Sequence, residues 1–190
     1  MTLVYVTGLS GSGKSAVLRE VNKRGFEARG VDEEGFADWI DRETGEVAPF
    51  PHDDPTLDIH DWYAKHRWVL SEERIAKVKK DADQRNRIVF LAGVAEGEQE
   101  VWHFFDKVIA LSVDEATVRN RIESRQDNRF GKNPEEMAEV LSWLENYDET
   151  YRGFGALVID ATKPLDRVVD EILEAVQADI KAQVARDMDA

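Results

Sequence analysis

Gly8-Leu9-Ser10-Gly11-Ser12-Gly13-Lys14-Ser15 matches the pattern G-x-x-x-x-G-K-S/T at every fixed position. The flanks fit the same reading. Leu3 to Val6 is a short apolar run that predicts a buried strand. In Ala16 to Arg24 the apolar residues Val17, Leu18 and Val21 fall at helical spacing, and Gly25 is a natural stop. Strand, glycine loop and helix make an anion cradle: the glycines let the backbone bend closely around phosphate, and successive N–H groups at the helix N-terminus face it. In such a loop Lys14 reaches the β- and γ-phosphates and the Ser15 hydroxyl ligates Mg²⁺. The bland alternative, a flexible Gly/Ser turn, leaves the strand and helix on either side unexplained. The stretch therefore predicts nucleoside triphosphate binding.

The rest of the chain is read outward from that loop. Its 190 residues suit one α/β domain with a small inserted lobe. The formal net charge of −14 argues against a nucleic-acid partner, which demands a basic face, but leaves room for a small anion held in a local field. With no cysteine, disulfides, thiolate catalysis and cysteine-ligated zinc are excluded. No apolar run approaches the roughly 20 residues of a membrane span, and the glycine loop interrupts the first apolar stretch too early for a secretory leader. A cytoplasmic enzyme without membrane contact is expected. The sequence carries no signal for oligomeric state.

Further strands are expected at Phe26 to Val31, Arg87 to Ala92, Lys107 to Leu111 and Ala156 to Ile159. Helices are expected from Ser71 to Arg85, Glu98 to Phe105, Asp114 to about Arg125, from Asn133-Pro134-Glu135-Glu136 onward with Met137, Leu141, Leu144 and Tyr147 inward, and from Pro164 to fraying turns after about Ala178. Residues 35–70 read as irregular, punctuated by Gly45, Pro49, Pro51 and Pro55, with Trp39, Trp62, Tyr63 and Trp68 supplying a partial core. Five short apolar strands alternating with helices predict a three-layer α/β sandwich around a mainly parallel sheet. Ligands bind beyond the C-terminal strand ends of such sheets, which places 8–15, Asp32-Glu33-Glu34 and Gly93 along one edge.

Two kinds of phosphate-loop protein remain: a nucleotide-spending switch or hydrolase, and a kinase that transfers the γ-phosphoryl. A hydrolase usually carries a strand ending in an acid that holds Mg²⁺. The strand Ile88 to Ala92 ends without one, leaving Asp114 and Asp160 as substitutes, each with a plainer role as helix cap or turn residue. The N-K-x-D and L-S-G-G-Q signatures are absent.

The layout is similar to the small-molecule P-loop kinases of the adenylate, shikimate and gluconate kinase group, within the P-loop nucleoside triphosphate hydrolase superfamily. The resemblance covers most of the chain except 36–70. Thr117-Val118-Arg119-Asn120-Arg121-Ile122-Glu123-Ser124-Arg125 resembles that group's arginine-bearing helix at the lid. The resemblance implies that Arg121 packs against adenine, that Arg125 contacts phosphate, and that 126–133 is a short lid with Arg129 and Lys132 near the phosphates; the plainer reading is a solvated helix face. Arg152 is a further candidate. Asp32-Glu33-Glu34 resembles the D-x-D after the second strand of shikimate kinase. It implies that Asp32 holds the Mg²⁺ water shell or takes the acceptor's proton, and that Glu34 binds acceptor hydroxyls; the alternative is an acidic loop in an acidic protein. By position, Thr162, Lys163 and Pro164 fall in the adenine loop and Gly93 in the acceptor turn.

That turn, Ala92-Gly93-Val94-Ala95, lacks the phosphate-gripping arginine of nucleoside-monophosphate kinases, although Arg42 or Arg67 is placed to compensate. Asp38, Asp41, Asp58, His60, Asp61 and His66 with the aromatics suit a neutral acceptor, hydroxyl-rich or ring-bearing; the plainer reading is that at least two of Trp39, Trp62 and Trp68 simply fill the lobe. His52, His60, His66 and His103 show no metal-ligand spacing. The expectation is an ATP- and Mg²⁺-dependent phosphotransferase acting on a small hydroxyl-bearing molecule, with a nucleoside-monophosphate kinase and a nucleotide-binding regulator or ATPase as alternatives.

Overall fold

The computed structural model describes residues 2–51, 56–126 and 130–188. Five strands form a wholly parallel sheet: β1 (Leu3–Gly8), β2 (Glu27–Gly30), β5 (Val89–Ala92), β6 (Lys107–Ser112) and β7 (Leu157–Asp160), in the order β2-β5-β1-β6-β7. Central β1 pairs with β5 from Leu3↔Val89 to Val6↔Ala92 and with β6 from Val4↔Lys107 to Gly8↔Leu111. Every residue of β1 is buried, as a strand with both neighbours and both faces covered must be.

Alternation along the strands makes the three layers. Val4 and Val6 of β1, with Phe90, Ala92, Ile109 and Leu111, face α1 (Lys14–Lys23), α4 (Glu115–Ser124), α5 (Pro134–Ser142) and α7 (Leu165–Met188). Leu3 and Tyr5, with Val89, Leu91, Val108 and Ala110, face α3 (Glu72–Arg85), a 3-10 helix at Glu98–Phe104 and α6 (Tyr147–Gly153). The helix starts are chemically ordinary: Ser71, Asp114 and Asn133 each accept the backbone N–H three residues on, from Arg74, Thr117 and Glu136.

Four expectations change. Residues 35–70 are not irregular. They hold β3 (Ala37–Asp41) and β4 (His66–Leu70) in a separate two-stranded antiparallel sheet, with α2 (Ile59–Lys65) between them. Pairs such as Trp39↔Trp68 put aromatic side chains opposite one another and supply what the Pro/Gly punctuation conceals. The helix from Pro134 does not run on to Tyr147; it stops at Ser142, and Asn146 at φ 62 starts α6 in a new direction. The segment at 98–104 is a 3-10 turn rather than an α-helix. Finally, α7 is unbroken to Met188. Among the described residues no helix is long and apolar enough to cross a membrane.

Candidate active site

A cavity of about 650 Å³ opens at the C-terminal edge of the parallel sheet. Leu9 to Ser15 form its floor, and Asp32, Val94, Arg121, Arg125, Phe130, Trp143, Ala161 and Lys163 line its walls. Sheet order divides it. Asp32 and Val94 follow β2 and β5 on one side of β1; Arg121 follows β6, and Ala161 and Lys163 follow β7, on the other.

The floor is built by backbone. Gly8 ends β1, and α1 begins at Lys14 directly after Gly13, whose φ of 103 is open to glycine at little cost. The N-terminus of the ten-residue α1 therefore points into the cavity and carries the positive end of its dipole there. The ammonium of Lys14 donates to the carbonyls of Gly8 and Leu9, the latter at 3.1 Å. Burial pulls its pKa down to about 8, against the raising charges of Glu98 and Asp32. Ser15 lines the same floor.

Arg121 spans the loop from behind. Its Nη1 donates to Ser12 O at 2.9 Å and its Nη2 to Ala161 O at 2.8 Å, so one planar fork joins the phosphate-loop backbone to the turn after β7. Arg125 donates to Ser10 Oγ at 3.0 Å and to Phe130 O. Both arginines thus stand at the cavity wall, one turn apart on α4 and its C-terminal cap.

Asp32 faces them from the β2 side. The indole N–H of Trp68, on β4, donates to its Oδ1 at 3.2 Å, tying the small sheet to the cavity. Crowding by protein and the neighbouring Glu33 push the Asp32 carboxyl above its ordinary range, and Lys14 pulls the other way. Asp32 and Lys14 are therefore on one cavity and within each other's field.

Other candidates are placed differently. Glu34 turns to Arg29, 2.6 Å away, and lies outside the cavity lining. Gly93 is also outside it; a Cβ there would stand 2.5 Å from Val31 Cβ, so close packing of two loops explains this glycine. Of the turn after β7, Lys163 lines the cavity and bonds Glu171 at 2.8 Å, while Thr162 donates to Asp160 and Pro164 opens α7. Gly8 ends the strand beneath the lining residues. Asp114 and Asp160 spend their carboxylates on Thr117 and Thr162, the cap and turn roles. Lys132 donates back to the Arg125 carbonyl, and Arg152 pairs with Asp148 on an exposed helix face. Arg129 and His52 lie outside the described residues. His66 stacks on Trp62 with its Nδ1 2.7 Å from Trp62 O, and His103 sits 3.0 Å from Glu100 O.

Two features escape a reading of the sequence. One is Glu98, 4% exposed beneath the loop. It accepts from Tyr5 Oη at 3.0 Å, Ala95 N at 3.0 Å and Tyr151 Oη at 3.1 Å. Burial still holds its carboxyl above the usual range. Glu98 falls at the start of the expected helix Glu98 to Phe105, and two of its three partners come from β1 and α6, so no local signal reveals its burial. The other is Trp143, whose exposure of 45% is high for a tryptophan in a cavity wall. Its signal was present: it lies off the apolar stripe of α5.

This parallel order, with a glycine loop leading into α1, is the fold of the P-loop small-molecule kinases. The chain belongs to the AAA domain family, whose model matches residues 4–142. Among solved structures it is similar to shikimate kinase from Acinetobacter baumannii in complex with shikimate, with a TM-score of 0.59 at 17% identity over 94% of each chain. It is also similar to a sugar kinase from Janibacter sp. HTCC2649, at TM-score 0.55 and 16% identity over 93% of this chain and 95% of that one. A third likeness is deoxyadenosine kinase from M. mycoides with bound dATP, at TM-score 0.50 and 16% identity over 93% of this chain and all of that one (100%). No curated protein matches the sequence.

Proposed function

We propose that this protein is an ATP- and Mg²⁺-dependent phosphotransferase that moves the γ-phosphoryl of ATP to a hydroxyl of a small molecule. The observation that carries the reading is that Lys14, at the α1 N-terminus in the floor, and Asp32, in the wall, line one cavity of about 650 Å³. The fold it shares with kinases of shikimate, a sugar and deoxyadenosine supports the same reading.

In this scheme the triphosphate lies along 8–15, its oxygens facing the loop N–H groups and Lys14. Arg121, Ala161 and 162–164 form the base side. Arg125 meets the transferring phosphate, with the residues around 126–133 as a lid. Residues 35–70 are the acceptor lobe of a single cytoplasmic domain. Among the described residues no three acids or histidines gather to hold a metal by themselves. That suits Mg²⁺, which keeps waters and takes one or two protein ligands plus phosphate oxygens. Ser15 and Asp32 would hold it, Asp32 through its water shell, and the ion would neutralise charge developing on the phosphate oxygens. Asp32 accepts a hydrogen bond from the acceptor hydroxyl, aligns that oxygen and takes its proton as the oxygen bonds to the γ-phosphorus and ADP leaves; Lys14, Arg125 and the loop amides balance negative charge as it moves.

The test is ATP-dependent phosphorylation of a panel of nucleosides, sugars and shikimate-like polyols, read by product mass. Transfer to at least one hydroxyl is expected. Nucleotide binding or hydrolysis with transfer to none would replace this reading with a nucleotide-binding regulator or ATPase.

A further inference from the structure

The buried carboxylate of Glu98 takes no part in the scheme above, yet three elements meet on it. Its Oε2 accepts both the Tyr5 hydroxyl of β1 and the backbone N–H of Ala95, each at 3.0 Å. Its Oε1 accepts the Tyr151 hydroxyl of α6 at 3.1 Å. One oxygen atom therefore joins the strand that leads into the phosphate loop to the turn that follows β5. The Tyr5 end of this joint is rigid. Tyr5 pairs with Leu91 and Val108 in the sheet, is wholly buried, and sets its ring 4.9 Å from that of Phe105. The Ala95 end lies in a turn outside any strand or helix.

That turn borders Asp32 at more than one point. Ala92 O accepts the N–H of Val31, the residue before Asp32, at 2.9 Å. Val94 lines the cavity along with Asp32. Glu96 N donates to Trp68 O at 2.8 Å, and the Trp68 indole holds the Asp32 carboxylate. The sheet itself fixes the start of the turn, where Gly93 N donates to Val6 O at 3.2 Å. Beyond Gly93 the turn leaves the sheet. Ala95 sits between Val94 and Glu96, and its N–H is the group that Glu98 anchors. A backbone N–H held by a buried carboxyl group is a firm tether in a segment that has no ladder of its own.

We infer that Glu98 is a positioning residue for transfer: it holds the turn after β5 in register with the phosphate-loop strand, and so sets where Val94, Trp68 and Asp32 stand toward the acceptor. This rests on the phosphotransferase reading above. Glu98 lies outside the cavity lining and acts through the turn rather than by touching a substrate. Loosening it should shift the acceptor wall and spare the nucleotide floor, whose ties run from Lys14 and Arg121 to backbone carbonyls. What the tether needs is an oxygen at the right reach. Gln keeps that reach without the charge, its carbonyl taking the place of Oε2 and its amide donating to a turned Tyr151 hydroxyl. Asp keeps the charge and withdraws the oxygens by one methylene.

The experiment compares wild type, E98Q, E98D and D106N, using the best acceptor that the panel above yields and measuring KM for acceptor and for ATP separately. Asp106 holds the Thr2 and Leu3 N–H groups at the other end of β1, at 2.7 and 2.9 Å, so D106N lowers the melt without reaching the cavity. Assays run at pH 6.5. Burial, against the raising charge of Glu98, brings Lys14 to about 8, and at pH 6.5 the loss of that charge enters the ATP KM little. E98D should raise the acceptor KM by about three- to tenfold, the span of one hydrogen bond, and leave the ATP KM within about twofold. E98Q should recover most of the acceptor affinity. Amide hydrogen exchange without substrates should show Ala95 exchanging faster in E98D than in E98Q, with residues 8–15 unchanged. Should E98D fail to fold, Tyr5→Phe cuts the joint from its other end by one oxygen atom, and it should move the acceptor KM in the same direction. The inference is overturned if E98D, or Tyr5→Phe in its place, moves the ATP KM as far as the acceptor KM or moves neither. It is overturned as well if E98Q is as defective as E98D, or if D106N at a similar loss of melting temperature reproduces the acceptor effect. Wild type that transfers to nothing removes the phosphotransferase reading itself, a result seen before any variant is compared.

Discussion

On the β6–β7 side of the cavity Arg121, with Lys14 on the floor beside it, answers to backbone. Arg121 reaches the carbonyls of Ser12 and Ala161, Lys14 those of Gly8 and Leu9, and the α1 N-terminus supplies N–H groups. On the β2–β5 side the polar groups answer to side chains from distant segments: Asp32 is met by Trp68, and Arg42 by Glu96 across 54 positions. The first side is suited to a ligand whose shape hardly varies, a triphosphate. The second is assembled from elements free to change without disturbing β1, which is where the proposed function puts the choice of acceptor.

Breaking the first side should have the largest effect. Lys14→Ala removes the only side-chain ammonium on the loop, and transfer should fall by about three orders of magnitude or more with the melt intact. Single-turnover assays and circular dichroism check this. The same lysine gives a pH signature. With its pKa held at about 8 by burial in the free protein, Lys14 is charged below that pH and neutral above it. A bound triphosphate favours the charged form, so binding above pH 8 takes up a proton. ATP affinity should thus be flat from pH 6 to 7.5 and fall by up to about tenfold per unit above 8. Titration calorimetry in buffers of different ionisation enthalpy reads both the affinity and the proton uptake, and Lys14→Ala should flatten the profile.

Breaking the second side at its carboxylate comes next. Asp32→Asn keeps size and the acceptor for the Trp68 N–H but loses the charge. kcat should drop by about 10²- to 10⁴-fold, the range for losing a positioned base, while ATP binding without Mg²⁺ changes little. An unchanged kcat would remove Asp32 from the chemistry and leave it as the tether of β4.

The contrast also explains what the sequence made legible. A loop that binds through backbone announces itself in glycine spacing, so Gly8 to Ser15, the strand before it and the helix after it are readable from Leu3 to Arg24. The five parallel strands are readable because strands buried on both faces become apolar runs. Arg121 and Arg125 are found by resemblance, but the bonds that hold them to the loop, from Arg121 to the Gly11 and Ser12 carbonyls and from Arg125 to the Ser10 hydroxyl, span about 110 residues. The small sheet β3–β4 was missed because pairing of Ala37–Asp41 with His66–Leu70 is a tertiary event; Gly45, Pro49 and Pro51 lie in the connection and advertise only the turns. Glu34 looked functional from its neighbours in sequence and is claimed by Arg29 in space. Glu98 begins an expected helix, and nothing in its sequence neighbours announces the two tyrosines from other elements that bond it.

The smallest expected effect sharpens the comparison most. Arg42 and Glu96 are both close to half exposed, and such a pair in water is worth about 0 to 1 kcal/mol. Arg42→Ala should therefore move the melting temperature by no more than a few degrees. Yet Glu96 also donates its backbone N–H to Trp68 O at 2.8 Å, and Trp68 holds Asp32. The ion pair thus closes a chain from the lobe through the turn after β5 to the carboxylate. If the acceptor side is set by side-chain ties, Arg42→Ala should raise the acceptor KM several-fold while leaving the ATP KM alone, an effect out of proportion to its stability cost. If both constants stay put, the tie is ornamental and the position of Asp32 is fixed by Trp68 alone, which Trp68→Phe would then reveal by loosening the acceptor without any help from Arg42.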